Sequence, residues 1–156
     1  MTTVMTREAR ERFLSDLHVG VLSVATGDGG TLTVPIWYDY TPDQGVRVIT
    51  ARVSPKAAAI EATGRYSLAV QDEAIPYKYV SAEGPVTEIR PVDIEHDMLP
   101  LSIRYMGDEL GPQYAEGWAP ERDDFLVYIM RPERWASADM TEMFEDLRSS
   151  ATTAVT

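Results

Sequence analysis

Short apolar runs joined by tight turns dominate the first ninety residues, and this rhythm constrains the fold more than any other feature. Val19 to Ala25 is a β-run that stops at Gly27-Asp-Gly-Gly30, a strong hairpin turn. Thr31 to Tyr40 forms the second run, with Pro35 inside it, and Thr41-Pro-Asp-Gln-Gly45 turns the chain into a third, Val46 to Thr50. Proline offers no N–H to a ladder, so Pro35 marks an edge, a bulge or a break. Tyr66 to Gln71 and Tyr77 to Arg90 follow, the latter bent at Gly84-Pro85. Phe125 to Met130 and Arg134 to Ala138 complete the set. So many strands with so few helices between them predict an antiparallel barrel rather than a doubly wound sheet.

The intervening segments read as follows. Thr6 to Leu17 is a helix capped by Thr6, and Ser54 to Ala62 is a short Ala-rich helix ended by Gly64. Val92 to Tyr105 reads as a helix kinked by Pro100. Gly107 to Asp124 is polar and holds Gly and Pro, with room for one helical turn. Asp139 to Leu147 reads as helical, and the small polar stretch Arg148 to Thr156 as a fraying tail. The organisation expected is one domain over 1–147 and a flexible tail over 148–156.

Composition narrows the function classes. A chain of 156 residues can bury a real core. Its formal net charge of −11 argues against nucleic acid and anionic membranes, which demand clustered Lys and Arg. There is no cysteine, so disulfides, thiolate metal sites and cysteine nucleophiles are excluded. The polar N-terminus has no signal-peptide core, and no run approaches membrane-spanning length; a cytoplasmic protein is expected. Arg outnumbers Lys, and Ala and Val are frequent, as in GC-rich bacterial genomes.

Catalytic side chains are not nominated. His18 and His96 lack ligand-type spacing, so no metal site is expected. His18 suits a helix C-terminus, and His96, among Asp93, Glu95 and Asp97, suits a solvated helix face. Nucleophile elbow, Walker loop and dinucleotide fingerprint are all absent. Hard chemistry, if any, would belong to a cofactor.

One corner does carry a signal. In Val48-Ile-Thr-Ala-Arg-Val-Ser-Pro-Lys-Ala57 a β-run ends at Thr50, and a helix opens directly after Arg52, Ser54 and Lys56. A helix start presents unpaired N–H groups and a positive dipole end, which suit a phosphate. Lys56 is one of only two lysines, with Lys78. Ser54 as N-cap and Pro55 at the first helical position would equally open a helix with no ligand at all.

Taken in order, these segments resemble the split β-barrel flavin and deazaflavin oxidoreductases, the group that includes pyridoxamine 5′-phosphate oxidase. The resemblance runs over about residues 10 to 138. It rests on Val19-Gly-Val-Leu-Ser-Val, Thr33-Val-Pro-Ile-Trp-Tyr, Ile49-Thr-Ala-Arg-Val-Ser-Pro-Lys-Ala, Tyr77-Lys-Tyr-Val-Ser-Ala-Glu-Gly-Pro-Val, Arg104-Tyr-Met-Gly and Arg131-Pro-Glu-Arg-Trp. It implies a split β-barrel, mostly β with a few helices, working as a homodimer on a small-molecule substrate with the cofactor in the groove between subunits. It assigns the cofactor phosphate to Lys56, with Thr50 and Ser54 near it, and counts Ile49, Arg52 and Pro55 among the cofactor-binding positions. It assigns the ring to the strand Val34, Pro35, Ile36 and Trp37, with Tyr79 near the ring and Trp135 packing by the cofactor.

Two departures bear on the cofactor. The oxidase carries an arginine where this chain has Pro55; Arg52 could supply that charge. The oxidase's C-terminal Arg- and His-containing substrate motif is replaced here by Ala-Ser-Ala-Asp-Met after Trp135. Vitamin B6 oxidation is therefore disfavoured, and the chain looks closer to the actinobacterial branch that uses coenzyme F420, with FMN as the alternative. The polyanionic F420 tail needs local cations, for which Arg52, Lys56, Arg65 and Lys78 are candidates. Tyr38, Tyr77 or Tyr79 could donate a proton. Without the resemblance, Trp37 and Tyr79 read as sheet packing and Trp135 as a plug of the barrel end. Trp118 could line a pocket or cover a dimer edge. A carrier that binds a flavin or another planar ligand without turnover is the non-enzymatic alternative.

Overall fold

The computed structural model describes residues 2–153. Eight strands form one curled sheet: β1 (Gly20–Ala25), β2 (Thr31–Ile36), β3 (Tyr38–Thr41), β4 (Gly45–Ala51), β5 (Arg65–Gln71), β6 (Lys78–Pro91), β7 (Phe125–Met130) and β8 (Arg134–Asp139). The order is β2-β1-β5-β6-β7-β4-β3, with β8 paired to β6, and every pairing is antiparallel. Four helices accompany it: α1 (Arg7–Ser15), α2 (Pro55–Thr63), α3 (Leu99–Trp118) and α4 (Thr141–Thr153). The expected mostly-β split barrel is the observed architecture.

β6 lets one sheet curl into a barrel. Its residues up to Pro85 pair with β5, and from Val86 onward it pairs with β7. Gly84 sits at the crossing, where a Cβ atom would lie 1.9 Å from the Arg131 carbonyl oxygen. Only glycine permits that approach. The bend expected at Gly84-Pro85 is thus the corner of the barrel. Pro35 lies on β2, opposite Val21 of β1, in a strand at the sheet's edge, the placement that proline tolerates. The ladder breaks at Trp37, which splits the expected single run 31–40 into β2 and β3.

Alternation sorts the side chains. Val46, Val48 and Thr50 of β4 are buried, and Leu126, Tyr128 and Met130 of β7 join the main core. The intervening Ile49, Val127 and Ile129 belong to a second cluster with Met98, Ala115 and Trp118. β7 is covered on both faces, which explains its unbroken apolar sequence Phe-Leu-Val-Tyr-Ile-Met.

α2 opens as expected: Ser54 Oγ accepts from the Ala57 N–H at 3.1 Å and donates to the Ala51 carbonyl at 2.9 Å. Gly64, at φ 68°, closes it.

The region after β6 differs from expectation. A π-helical turn spans Ile94–Met98, and α3 begins only at Leu99. Pro100 does not kink it, because a proline in the first turn gives up an N–H that has no partner anyway. The break falls at Gly107 (φ 83°, ψ 177°), a conformation essentially confined to glycine. The chain then continues as helix to Trp118, followed by a 3₁₀ run Ala119–Asp124, where mostly loop was expected. α4 likewise runs past Leu147 to Thr153, so the expected fray over 148–153 is helical. Residues 154–156 of that tail lie outside the described residues.

The acidic patch around His96 is also different from expectation. Asp97 is only 1% exposed. It receives Arg90 Nη1 at 2.6 Å, Arg90 Nη2 at 2.7 Å, Arg47 Nη1 at 3.2 Å and the Asp93 N–H at 2.8 Å. Arg47 also clasps Asp39. Burial alone would raise the Asp97 carboxyl, but these donors and both guanidinium groups outweigh it and hold the carboxyl below its usual range. His96, 77% exposed on its side chain, does face solvent and pairs with Asp93 at 2.9 Å.

Candidate functional site

A cavity of about 440 Å³ opens between the sheet and α3. Three sequence elements converge on it. Pro35, Ile36 and Trp37 come from the break between β2 and β3; Ile49, Thr50 and Ala51 from the end of β4; Lys56 from the first turn of α2. α3 and its flanks add Met98, Leu101, Tyr114, Trp118 and Phe125.

Its wall is a chain of aromatic rings. Trp37 stacks on Tyr105 with centroids 4.8 Å apart and planes within 5°. Trp37 also meets Tyr114 at 5.5 Å, Tyr114 meets Trp118 at 6.2 Å, and Trp118 meets Phe125 edge-on at 5.1 Å. Tyr105 holds the strand break in place. Its hydroxyl accepts from the Tyr38 N–H at 3.1 Å and donates to the His18 carbonyl at 2.6 Å. The backbone polar group exposed by the missing ladder is thereby satisfied. Burial pushes the Tyr105 phenol up, so it stays a neutral donor.

Lys56 is the cation of this cavity, and among the described residues its ammonium has no hydrogen-bond or ion-pair partner. The other cations considered for an anionic ligand are engaged elsewhere. Arg65 lies between Glu83 (2.8 Å) and Glu133 (3.0 Å), and Lys78 pairs with Asp139 at 3.4 Å. Arg52 reaches the Asp123 carbonyl at 3.2 Å and, with Ser54 and Pro55, lines a separate hollow of about 490 Å³. The corner is therefore split: Lys56 faces one cavity, while Arg52, Ser54 and Pro55 face another. The Ser54 hydroxyl is used in capping α2.

Of the remaining expected site residues, Tyr79 lines a third hollow of about 600 Å³, which shares Val19 and Pro35 with the first. Val34 packs against the barrel core and lines none of these cavities. Trp135 also lines none of them; it sits under the Arg10 guanidinium at 4.4 Å and edge-on to Tyr40 at 6.1 Å. The three tyrosines considered as proton donors lie away from the cavity. The Tyr38 hydroxyl donates to the Leu14 carbonyl at 2.7 Å, Tyr77 packs on Phe144, and Tyr79 is next door. The phenol that does line the cavity is Tyr114, whose hydroxyl has no partner among the described residues. Sequence reasoning missed Tyr114 because Gly107 and Pro112 made this segment read as loop. The usable signal was the stripe Leu110, Tyr114 and Trp118 at four-residue spacing, a helical face.

Among the described residues no group of three or more His, Cys, Asp or Glu could hold a metal ion, and no helix is long and apolar enough to cross a membrane.

The arrangement suits a flat aromatic ligand with an anionic end. Its size lies within the roughly 300–1,000 Å³ of small-molecule sites. Stacking on rings is worth about 0.5–1.5 kcal/mol beyond area burial. An unpartnered ammonium beside a helix start supplies the anion's counter-charge.

No family model matches the chain, and no curated protein matches it. Solved structures do. An F420 reductase is 23% identical and superposes with a TM-score of 0.70, covering 84% of this chain and 98% of that one. A conserved hypothetical protein from Mycobacterium tuberculosis is 20% identical with a TM-score of 0.73, covering 90% of this chain and 89% of that one. An FAD-binding protein from Mesorhizobium loti is 20% identical with a TM-score of 0.60, covering 86% of this chain and 93% of that one. With the curled sheet and the corner at Gly84, these likenesses identify the fold as the split β-barrel that these proteins share.

Proposed function

We propose that this chain is an F420-dependent oxidoreductase that moves a hydride between the deazaflavin and a small organic substrate. One observation carries the reading: Lys56, without a protein partner, stands in a cavity walled by aromatic rings. The likeness to an F420 reductase supports the choice of cofactor. Lys56 holds the phosphate. Pro35, Ile36 and Trp37 lie along the ring, and Ile49 and Thr50 close the floor. When bound, the cofactor supplies the hydride; the protein binds, orients and excludes water. Tyr114 can offer a hydrogen bond to a substrate atom that gains negative charge.

A second reading is FMN as the cofactor. It is favoured by the engagement of Arg65 and Lys78 in ion pairs, which leaves one free ammonium for one phosphate. The chain works as a homodimer in either case. Supporting this, Val19, Val21 and Tyr79 (44% exposed) present an apolar outer sheet face beside the cavity.

The test is a parallel titration with F420 and with FMN, followed by quenching of the tryptophans, on wild type and Lys56→Ala. Micromolar affinity, about −8 kcal/mol, is expected for F420, weakening at least about tenfold in the variant. Tighter binding of FMN would move the chain to the second reading. Unchanged affinity in Lys56→Ala would remove the phosphate assignment. Binding without turnover of the reduced cofactor across a panel of electrophiles would make the chain a carrier.

A further inference from the structure

α3 consists of two halves of the same helix that are held very differently. The first, 99–106, is tied to the barrel. Arg104 Nη2 donates to the Asp16 carbonyl at 2.7 Å and to the Ser15 carbonyl at 3.1 Å, at the end of α1. The Tyr105 hydroxyl joins His18 and Tyr38 across the strand break, and Leu101 and Ser102 are buried. Just before it, Asp97 is fixed by two arginines. The second half, 108–118, has no such ties. Among the described residues no side-chain hydrogen bond links it to another element; Gln113 bonds only within it, to the Glu109 carbonyl at 3.1 Å, and the Glu116 carbonyl accepts from the Ala119 N–H where the 3₁₀ run begins. It carries Asp108, Glu109 and Glu116 and no basic residue. It is held by contact alone: Gly111 against Ile103, buried Ala115, and the rings of Tyr114 and Trp118.

Gly107 separates these halves. Its φ of 83° leaves the helical region, and a Cβ there would meet nothing within 4 Å, so the glycine answers a backbone need rather than a packing need. The half beyond it contributes two rings of the cavity wall. We propose that 108–118 is a hinged aromatic cover: it swings about Gly107, and its Tyr114 and Trp118 close on a flat ligand held against Trp37. Tyr114 and Trp118 then select for planarity, while Lys56 selects for the anion. The hinge rests on the geometry alone; the selection rests on the ligand class proposed above. Segments of few ties and low local stability are the ones that open to admit ligands.

Amide hydrogen exchange on the full chain, free and with FMN or riboflavin, tests both parts. In the free chain, amides of 108–118 should exchange at least about tenfold faster than those of 99–106. Equal protection of the two halves overturns the hinge whether or not any flavin binds. Saturating FMN should slow exchange in 108–118 more than in 99–106; binding without that effect overturns the cover. Tyr114→Leu should weaken FMN and riboflavin, which lacks the phosphate, by the same factor of several-fold, whereas Lys56→Ala should weaken FMN alone. Wild-type affinities in Tyr114→Leu overturn the selection. Failure of both flavins and of F420 to bind wild type would sink the proposed function and leave the free-chain exchange to decide the hinge.

Discussion

The barrel interior and the cavity under α3 are both apolar and aromatic, yet they treat their polar atoms in opposite ways. Inside the barrel the buried phenols of Tyr38, Tyr66 and Tyr128 are all hydrogen-bonded. The Tyr66 hydroxyl lies 3.1 Å from the Val46 carbonyl and 3.2 Å from the Tyr128 carbonyl, Tyr38 donates to Leu14, and Tyr128 donates to Glu61 at 2.9 Å. Burial pushes all three phenols up, so they remain protonated donors. Around the cavity, Lys56 and the Tyr114 hydroxyl have no partner among the described residues. Satisfied polar groups hold a fold together; unsatisfied ones at a concave surface are available to a ligand.

The contrast can be broken at several points. The largest effect is expected in the barrel: Leu68→Ala, at a fully buried position, should cost about 2–5 kcal/mol in urea unfolding. A similar loss, about 3–5 kcal/mol, is expected for Asp97→Ala, which strands two arginines beneath α3. Asp97 also makes a pH prediction. Its folded carboxyl titrates below the ordinary value, so its stabilisation is full above about pH 4–5 and is lost as pH falls through the folded pKa. Unfolding free energies of Asp97→Asn should accordingly fall less steeply than those of wild type below about pH 4; identical slopes would mean the ion pair is not what holds the turn.

Two conservative substitutions probe the same difference with smaller effects. Tyr66→Phe removes a bonded hydroxyl and should cost about 0.5–1.5 kcal/mol. Tyr114→Phe removes an unbonded one and should stay within about 0.5 kcal/mol of wild type. A Tyr114→Phe loss as large as that of Tyr66→Phe would erase the distinction between the two regions.

Much of this was legible in the sequence because it is local. Gly27-Asp-Gly-Gly30 made its turn, Ser54, Pro55 and Gly64 bounded α2, and Pro35 fell at an edge. What escaped was non-local or context-dependent. Asp97 looked like one of several solvated acids, since its partner Arg47 lies 50 residues away along the chain. Pro100 was expected to kink the helix and Gly107 only to open a polar stretch, though a first-turn proline is harmless and a positive-φ glycine is a true break. Within the candidate site, Pro35, Ile36, Trp37, Ile49, Thr50 and Lys56 line one cavity. Trp118 was already open to a pocket role, whereas Tyr114 was hidden because Gly107 and Pro112 made its segment read as loop.

β7 lies between the two regions, with Tyr128 and Met130 in the barrel core and Val127 and Ile129 in the cluster under α3. A compound that settles on one side of this shared strand cannot steady that side alone. Its binding energy becomes part of the cost of melting the whole sheet, about 2.7 kcal/mol at a concentration one hundred times its dissociation constant. The barrel is thus a thermometer for its own cavity: a rise in melting temperature across a library of metabolites would report the natural ligand before its chemistry is known.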